Sequence, residues 1–244
     1  MPERELLTES LEIVKTATEH GVTLRLMGGL AVGFHCRLKH PEHNRTYHDI
    51  DLFGLSRETE SIRWILEKLG HSYDHKFNSL GGGERLRFHD KEDHDIDIFL
   101  DKFKMEHIID FRARLYLDNF TIPVTDLLLT KLQNVKLAAK DAVDIISLLE
   151  DHRVGSSDDM GVLNLAYIAD ICADDWGLWR SVTGNVDKIS EWLQQGDYIA
   201  IDRSDVIRKL ASIRQAIDSK DKTFPWKLRA SVGEKVQWYF DVEE

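Results

Sequence analysis

Cysteine, proline and long apolar runs are all scarce in this sequence, and each scarcity excludes something. Only two Cys occur among 244 residues, Cys36 and Cys172, and no CxxC spacing accompanies them. A disulfide framework and a thiolate zinc site are therefore not expected. Four Pro and no low-complexity tract leave no obvious flexible linker, and no repeat of solenoid length is visible. No apolar run approaches the roughly 18 residues of a membrane span. The start, MPERELLTES, also lacks the apolar stretch of a signal peptide, so a reducing, cytoplasmic setting is expected. Basic residues are in deficit, 32 Lys and Arg against 43 Asp and Glu, for a formal net charge of −11. That balance excludes a polybasic protein that coats nucleic acid indiscriminately. What remains is globular: 42% hydrophobic and 31% charged residues, enough for one large domain or two modest ones.

Periodicity divides the chain. Leu6, Leu7, Leu11, Val14 and Ala17 recur at helical spacing before Gly21. VTLRLM (22–27) reads as a strand running into Gly28-Gly29, followed by a short helix in LAVGFHCRL. HDIDLF (48–53) alternates like a strand, and SRETESIRWILEKLG (56–70) is helical, with Ser56 as N-cap and Gly70 at its end. ERLRFHD (84–90) and HDIDIFL (94–100) resemble the strands of a hairpin after a Gly-rich turn. Two amphipathic helices, 125–137 and 140–152, follow. Gly155-Ser156-Ser157 is the candidate boundary, and the remainder reads as a helical bundle with almost nothing strand-like. The expected fold is α/β (α+β): a mixed β-sheet with flanking helices over 1–152, then an all-α domain over 153–244.

Three features carry chemistry. Gly28 and Gly29 open a helix directly after a strand, where backbone N–H groups approach an anion without side-chain obstruction. Asp49 and Asp51 lie two apart on a strand and so share a face, with Ile50 and Leu52 turned to the core. Two close carboxylates repel unless a cation lies between them, and Mg²⁺ takes oxygen ligands and bridges to phosphates. Asp97 sits on a later strand. The set describes a site for a metal-bound polyphosphate.

LMGGLAV, YHDIDLF and HDIDIFL, in that order, resemble the signature of the nucleotidyltransferase superfamily with the DNA polymerase β-like core. The later VTDLLLTKLQNVKLAAKDAVDIISLL resembles the helical segment of its AbiEii-like branch, through Lys131, Lys140, Asp141 and Asp144. The resemblance covers about residues 22–150. It implies that Gly28 and Gly29 hold a nucleoside triphosphate, that Asp49 and Asp51 ligate Mg²⁺, and that Asp97 completes the metal site and helps activate an acceptor hydroxyl. It further implies that Lys131 contacts phosphate, with Asp141 supporting from the next helix. Asp95 shares a strand face with Asp97, and the family pattern favours Asp97 because Ile96 and Ile98 flank it. An inserted loop, about 39–47, would sit near the site.

The activity so implied is Mg²⁺-dependent transfer of a nucleoside monophosphate from an NTP, through a two-ion site, with pyrophosphate released. The acceptor is RNA, a protein side chain or a small molecule. The acidic total favours a small cationic acceptor, whereas Arg203–Lys235, with nine basic and four acidic residues and Phe224 and Trp226 interleaved, favours RNA. The branch also implies a toxin or phage-defence role and an antitoxin partner. The competing reading is a binding module on the same fold without turnover. Arg85 and Arg87 alternate beside the DIDIF strand and either contact phosphate or balance the nearby Asp. His35, His40, His43 and His48 fit no metal-ligand spacing and read as surface or loop residues. Trp176 and Trp179 read as core aromatics.

Overall fold

The computed structural model describes residues 2–36, 47–80, 83–196 and 202–242. Most of the expected 39–47 insertion, and His40 and His43 with it, lie outside the described residues. The described residues form two compact units: the first holds 2–35, 47–80, 83–104 and 108–123, and the second holds 36, 105–107, 124–196 and 202–242.

In the first unit, α1 (Pro2–Glu19) buries Leu6, Ile13, Val14 and Ala17, a helical stripe that forces one face inward. Gly21 follows at φ +71, a conformation glycine adopts without steric cost. β1 (Leu24–Met27) then runs without a break into α2 (Gly28–His35). β2 (Ile50–Gly54) precedes α3 (Thr59–Leu69), which stops where Gly70 turns left-handed and its N–H reaches the carbonyls of Leu66 and Glu67. Ser56 does not cap this helix. It opens a short 3₁₀ turn, Ser56–Glu58, and its hydroxyl donates to Asp101 Oδ2 at 2.6 Å.

The sheet is completed by β3 (Ser72–Tyr73), β4 (Arg85–His89) and β5 (Asp95–Leu100), with α4 (His75–Leu80) between β3 and β4. Strand order is β1-β2-β5-β4-β3, with β2 and β5 parallel and every other pair antiparallel. This is the mixed sheet with flanking helices expected from the sequence. Ile50, Leu52, Ile96 and Ile98 are fully buried on one side of β2 and β5. The outer edge of β1 is not left open, since Leu26 donates to Phe120 O at 2.8 Å and accepts from Ile122 N at 3.0 Å. A small hairpin that the pattern of apolar residues did not announce, β6 (Lys102–Lys104) and β7 (Ile108–Asp110), follows β5.

The second unit is mainly helical: α5 (Val124–Leu132), α6 (Ala139–Asp151), α7 (Leu165–Asp174), α8 (Trp176–Gln195), α9 (Arg203–Ser219) and α10 (Phe224–Val232). The expectation of an all-α domain over 153–244 needs one amendment, a pair of three-residue strands. β8 (Arg153–Gly155) and β9 (Val162–Asn164) pair in parallel, tied down by Thr125, whose hydroxyl donates to Val162 O and accepts from Asn164 N. Runs of three residues are too short for alternation to show in sequence. Trp176 is buried with the core and begins a 20-residue helix capped by Asp175. No helix among the described residues is long and apolar enough to cross a membrane.

His107 is buried in the second unit; its backbone N–H donates to Gln133 Oε1 at 2.9 Å, and its Nε2 lies 2.8 Å from Ser181 Oγ. Burial lowers its pKa below the ordinary value, with Asp175 acting in the opposite sense. The neutral imidazole therefore favours the fold above about pH 6.5, and the advantage is lost as the unfolded chain takes up a proton below that. Thermal unfolding should show Tm declining from pH 6.5 to pH 5, and His107→Asn should flatten part of that decline. An unchanged pH profile in the variant would contradict the assignment.

Candidate active site

The parallel pairing of β2 with β5 sets Asp51 opposite Asp97 and Ile50 opposite Ile96. Asp51 also faces Met27 of β1, one residue before Gly28. The strand-to-helix turn and the two carboxylates are thus assembled by register alone. Gly28 has φ +67, and a Cβ placed there would sit 2.1 Å from Asp51 Oδ2. The carboxylate of Asp51 occupies the space that any side chain at 28 would need. This is a close-approach glycine, and Gly29 is buried beside it.

Asp49 precedes β2 and is exposed. Its pKa is raised, first by partial desolvation and then by the charges of Asp95 and Asp97, with His48 and His94 pulling the other way. Asp97 is buried at 5% exposure. Arg87 holds it with Nε at 2.9 Å from Oδ1 and Nη2 at 3.1 Å from Oδ2, and Arg85 Nη2 reaches Oδ2 at 2.5 Å. β4 delivers both arginines because Arg85 and Arg87 are two apart on the strand antiparallel to β5. Of the two roles open to them in the sequence, balancing Asp is the one the geometry shows. Asp95 lies at the rim, with Arg87 Nη1 at 3.3 Å and His89 Nδ1 at 3.0 Å. The guanidinium of Arg87 is further stacked 4.3 Å from the ring of Phe77.

Sequence reasoning missed two features here. Tyr47 packs on α2, its hydroxyl 3.0 Å from where a Cβ of Gly33 would stand, and the only signal was a glycine inside a helix. His94 lies with Nδ1 2.7 Å from Asp90 Oδ2; that carboxylate raises the imidazole pKa, and Asp49 adds a smaller pull in the same direction.

Lys131, Asp141 and Asp144 come together within the second unit. Lys131 is 8% exposed, with Nζ 3.0 Å from Asp141 Oδ1 and 2.9 Å from Asp144 Oδ2. Asn134 Nδ2 donates to Asp141 Oδ2 at 3.0 Å. The spacing from α5 to α6 thus builds a buried ionic triad, in which removal of the lysine would strand two carboxylates.

The donor set of the aspartate row suits Mg²⁺ in type, since every candidate is a carboxylate and Asp49 carries an excess of neighbouring negative charge that a cation would relieve. Among the described residues, however, no three or more His, Cys, Asp or Glu converge as a ready-made metal cluster. Both oxygens of Asp97 are engaged by arginine instead. Asp49 is the member of the row whose surroundings would favour a cation.

Two expected outcomes follow from this geometry. Gly28→Ala forces a left-handed residue and a clash with Asp51; such strain costs about 1–3 kcal/mol, or roughly 2–12 °C in Tm for a chain of this size. A Tm equal to wild type would show that the close approach does not hold in solution. For Asp49, a folded-state pKa above the unfolded value means that its ionised form disfavours the fold at neutral pH, a cost that disappears below the unfolded pKa near 3.8. Asp49→Asn should raise Tm at pH 7 and lose that advantage toward pH 4, and added Mg²⁺ should raise the Tm of the wild type more than that of the variant. Differential scanning fluorimetry reads all three.

No family model matches the chain, and no curated protein matches it. Among solved structures it is similar to the lincosamide antibiotic adenylyltransferase LnuA in its lincomycin-bound crystal structure. That likeness has 18% identity over 56% of this chain and 91% of that one, with a TM-score of 0.41. It is also similar to the antibiotic-resistance factor ANT(2'')-Ia in solution, at 15% identity over 60% of this chain and 83% of that one, with a TM-score of 0.40.

Proposed function

We propose that this protein is a nucleotidyltransferase that moves a nucleoside monophosphate from an NTP to an acceptor hydroxyl. The observation that carries the reading is the register that places Asp51 both against Gly28 and beside Asp97. On this reading Gly28 and Gly29 offer backbone to the triphosphate at the start of α2, where the helix field favours an anion. Asp49 and Asp51 hold Mg²⁺, which when bound supplies positive charge to the phosphate oxygens. The acceptor oxygen forms a bond to the α-phosphorus as the bond to the bridging oxygen breaks, and pyrophosphate departs. Asp97 orients the acceptor hydroxyl, whose proton passes to the carboxylate or to solvent. Arg85 and Arg87 hold Asp97 in place, and the proposed two-ion site, with Asp97 as a further ligand, belongs to the same reading.

The functional domain in this reading is 1–152, because it includes Lys131 as a phosphate contact and Asp141 as its support, and 153–244 follows as a helical domain. By packing, α5 and α6 lie in the second unit. The AbiEii-like affiliation, a cytoplasmic setting, a defence role and an antitoxin partner belong to the same proposal, supported by the sequence resemblance. Acceptor candidates remain RNA, protein and small hydroxyl or amine compounds.

A second reading, a nucleotide- or partner-binding module without turnover, is favoured by one observation: Arg85 and Arg87 already neutralise Asp97. Incubation with each α-labelled NTP, Mg²⁺ and either cell RNA, protein or amine-bearing hydroxyl compounds decides between them. Label transfer should occur with one acceptor class, and Asp51→Ala should lower it at least about a hundredfold. Nucleotide binding by equilibrium dialysis with no transfer to any acceptor would establish the second reading instead.

A further inference from the structure

β4 has β5 along one side and β3 along the other, but β3 covers it for two residues only, Ser72 opposite His89 and Tyr73 opposite Phe88. Arg87 lies one residue past that cover. Its backbone N–H and C=O would face an open strand edge, which native sheets seldom leave unmanaged. Asn78 of α4 closes both: Arg87 N–H donates to Asn78 Oδ1 at 2.8 Å, and Asn78 Nδ2 donates to Arg87 O at 2.9 Å. The Asp74 N–H adds a bond to the same carbonyl at 3.1 Å. A carboxamide carries the donor and the acceptor of a peptide group, so one side chain stands in for the strand residue that β3 lacks.

Phe77, the neighbour of Asn78, holds the other end of Arg87. Its ring lies 4.3 Å from the Arg87 guanidinium and 5.7 Å from that of Arg85. α4 is in turn anchored by Asp74, whose Oδ1 accepts from Phe77 N at 2.9 Å. An asparagine on a strand edge is usually no more than a fixture of the fold. Here the backbone it closes belongs to the residue whose guanidinium meets both oxygens of Asp97, at 2.9 and 3.1 Å. A long, flexible arginine is thereby fixed at its backbone and at its head, with the planar fork aimed at Asp97.

We infer that Asn78 and Phe77 are positioning residues for the candidate active site, acting on Asp97 through Arg87. Strand register sets the backbone of Asp97 opposite Arg87, and the guanidinium that grips both oxygens sets the direction of the carboxylate. Without Asn78, the Arg87 amide and carbonyl turn to water and the fork loses its fixed origin. A displacement of about 1 Å at a reacting group can lower a rate about a hundredfold. The kinetic consequence rests on the nucleotidyl-transfer reading of the site; the support of Arg87 does not.

A kinetic measurement and a spectroscopic one test the two parts separately. In label transfer, Asn78→Ala should lower kcat about ten- to a hundredfold with KM for the NTP unchanged. In an Arg87→Lys background, which keeps the charge but not the fork, Asn78→Ala should cost nothing further, because its effect passes through the guanidinium. In ¹H–¹⁵N spectra of the full chain, the Arg87 Nε–H should exchange slowly with water in the wild type and fast in both Asn78→Ala and Phe77→Leu. Ser79→Ala, on the same helix, should leave both readings unchanged. If Asn78→Ala does not fold, Phe77→Leu carries the kinetic comparison as well. Unchanged kcat, a fully additive loss in the Arg87→Lys background, or slow Nε–H exchange retained in both variants would overturn the proposal. A wild type that transfers no label to any acceptor overturns the transfer reading instead, and the Nε–H exchange then decides the positioning by itself.

Discussion

The parallel pairing of β2 with β5 is the constraint on which the candidate site depends. Period-two alternation gives each strand a core face and a second face, and a shift of one residue would exchange them. Burial of Ile50, Leu52, Ile96 and Ile98 holds the register, because a slip would exchange all four with the face that carries Asp51 and Asp97. Hydrophobic burial on one side therefore positions charge on the other. Antiparallel pairing of β1 brings the turn at Gly28 to the same end of the sheet, where Asp51 fills the space that glycine leaves.

Charge in such a row has to be compensated, and the first unit does this in two ways. At Asp97, two arginines from β4 supply fixed countercharge, in a geometry that a lysine would not reproduce because it lacks the planar fork. At Asp49 the pKa is raised, first by desolvation and then by the charges of Asp95 and Asp97, which His48 and His94 oppose. The same contrast recurs elsewhere. Lys131 is locked between Asp141 and Asp144, whereas Glu9 Oε1 stands 3.6 Å from His71 Nδ1 beside a cavity.

Legibility followed the length and regularity of each signal. α1 and α3 could be read because apolar stripes and a terminal glycine agree over three turns or more. β2 and β5 could be read because each alternates over five or six residues. β6, β7, β8 and β9 could not, since three-residue strands carry no period and owe their pairing to neighbours such as Thr125. Ser56 shows another limit: an N-cap residue type is a local preference, and here the carboxylate of Asp101, 45 residues away in sequence, claims its hydroxyl.

By itself, the sequence determined the alternation of strands and helices, the helical character of most of the chain after residue 150, and the presence of paired glycines, a DxD strand and a later aspartate in one order. These are local properties, set by periodicity and by the conformational freedom of particular residue types. Tertiary structure alone decided that Asp51 lies against Gly28, that Arg85 and Arg87 clamp Asp97, and that Glu9 and His71 share a cavity. Those pairings join residues far apart in the chain. They exist because strand register and helix packing bring the groups together, and no local preference encodes that distance.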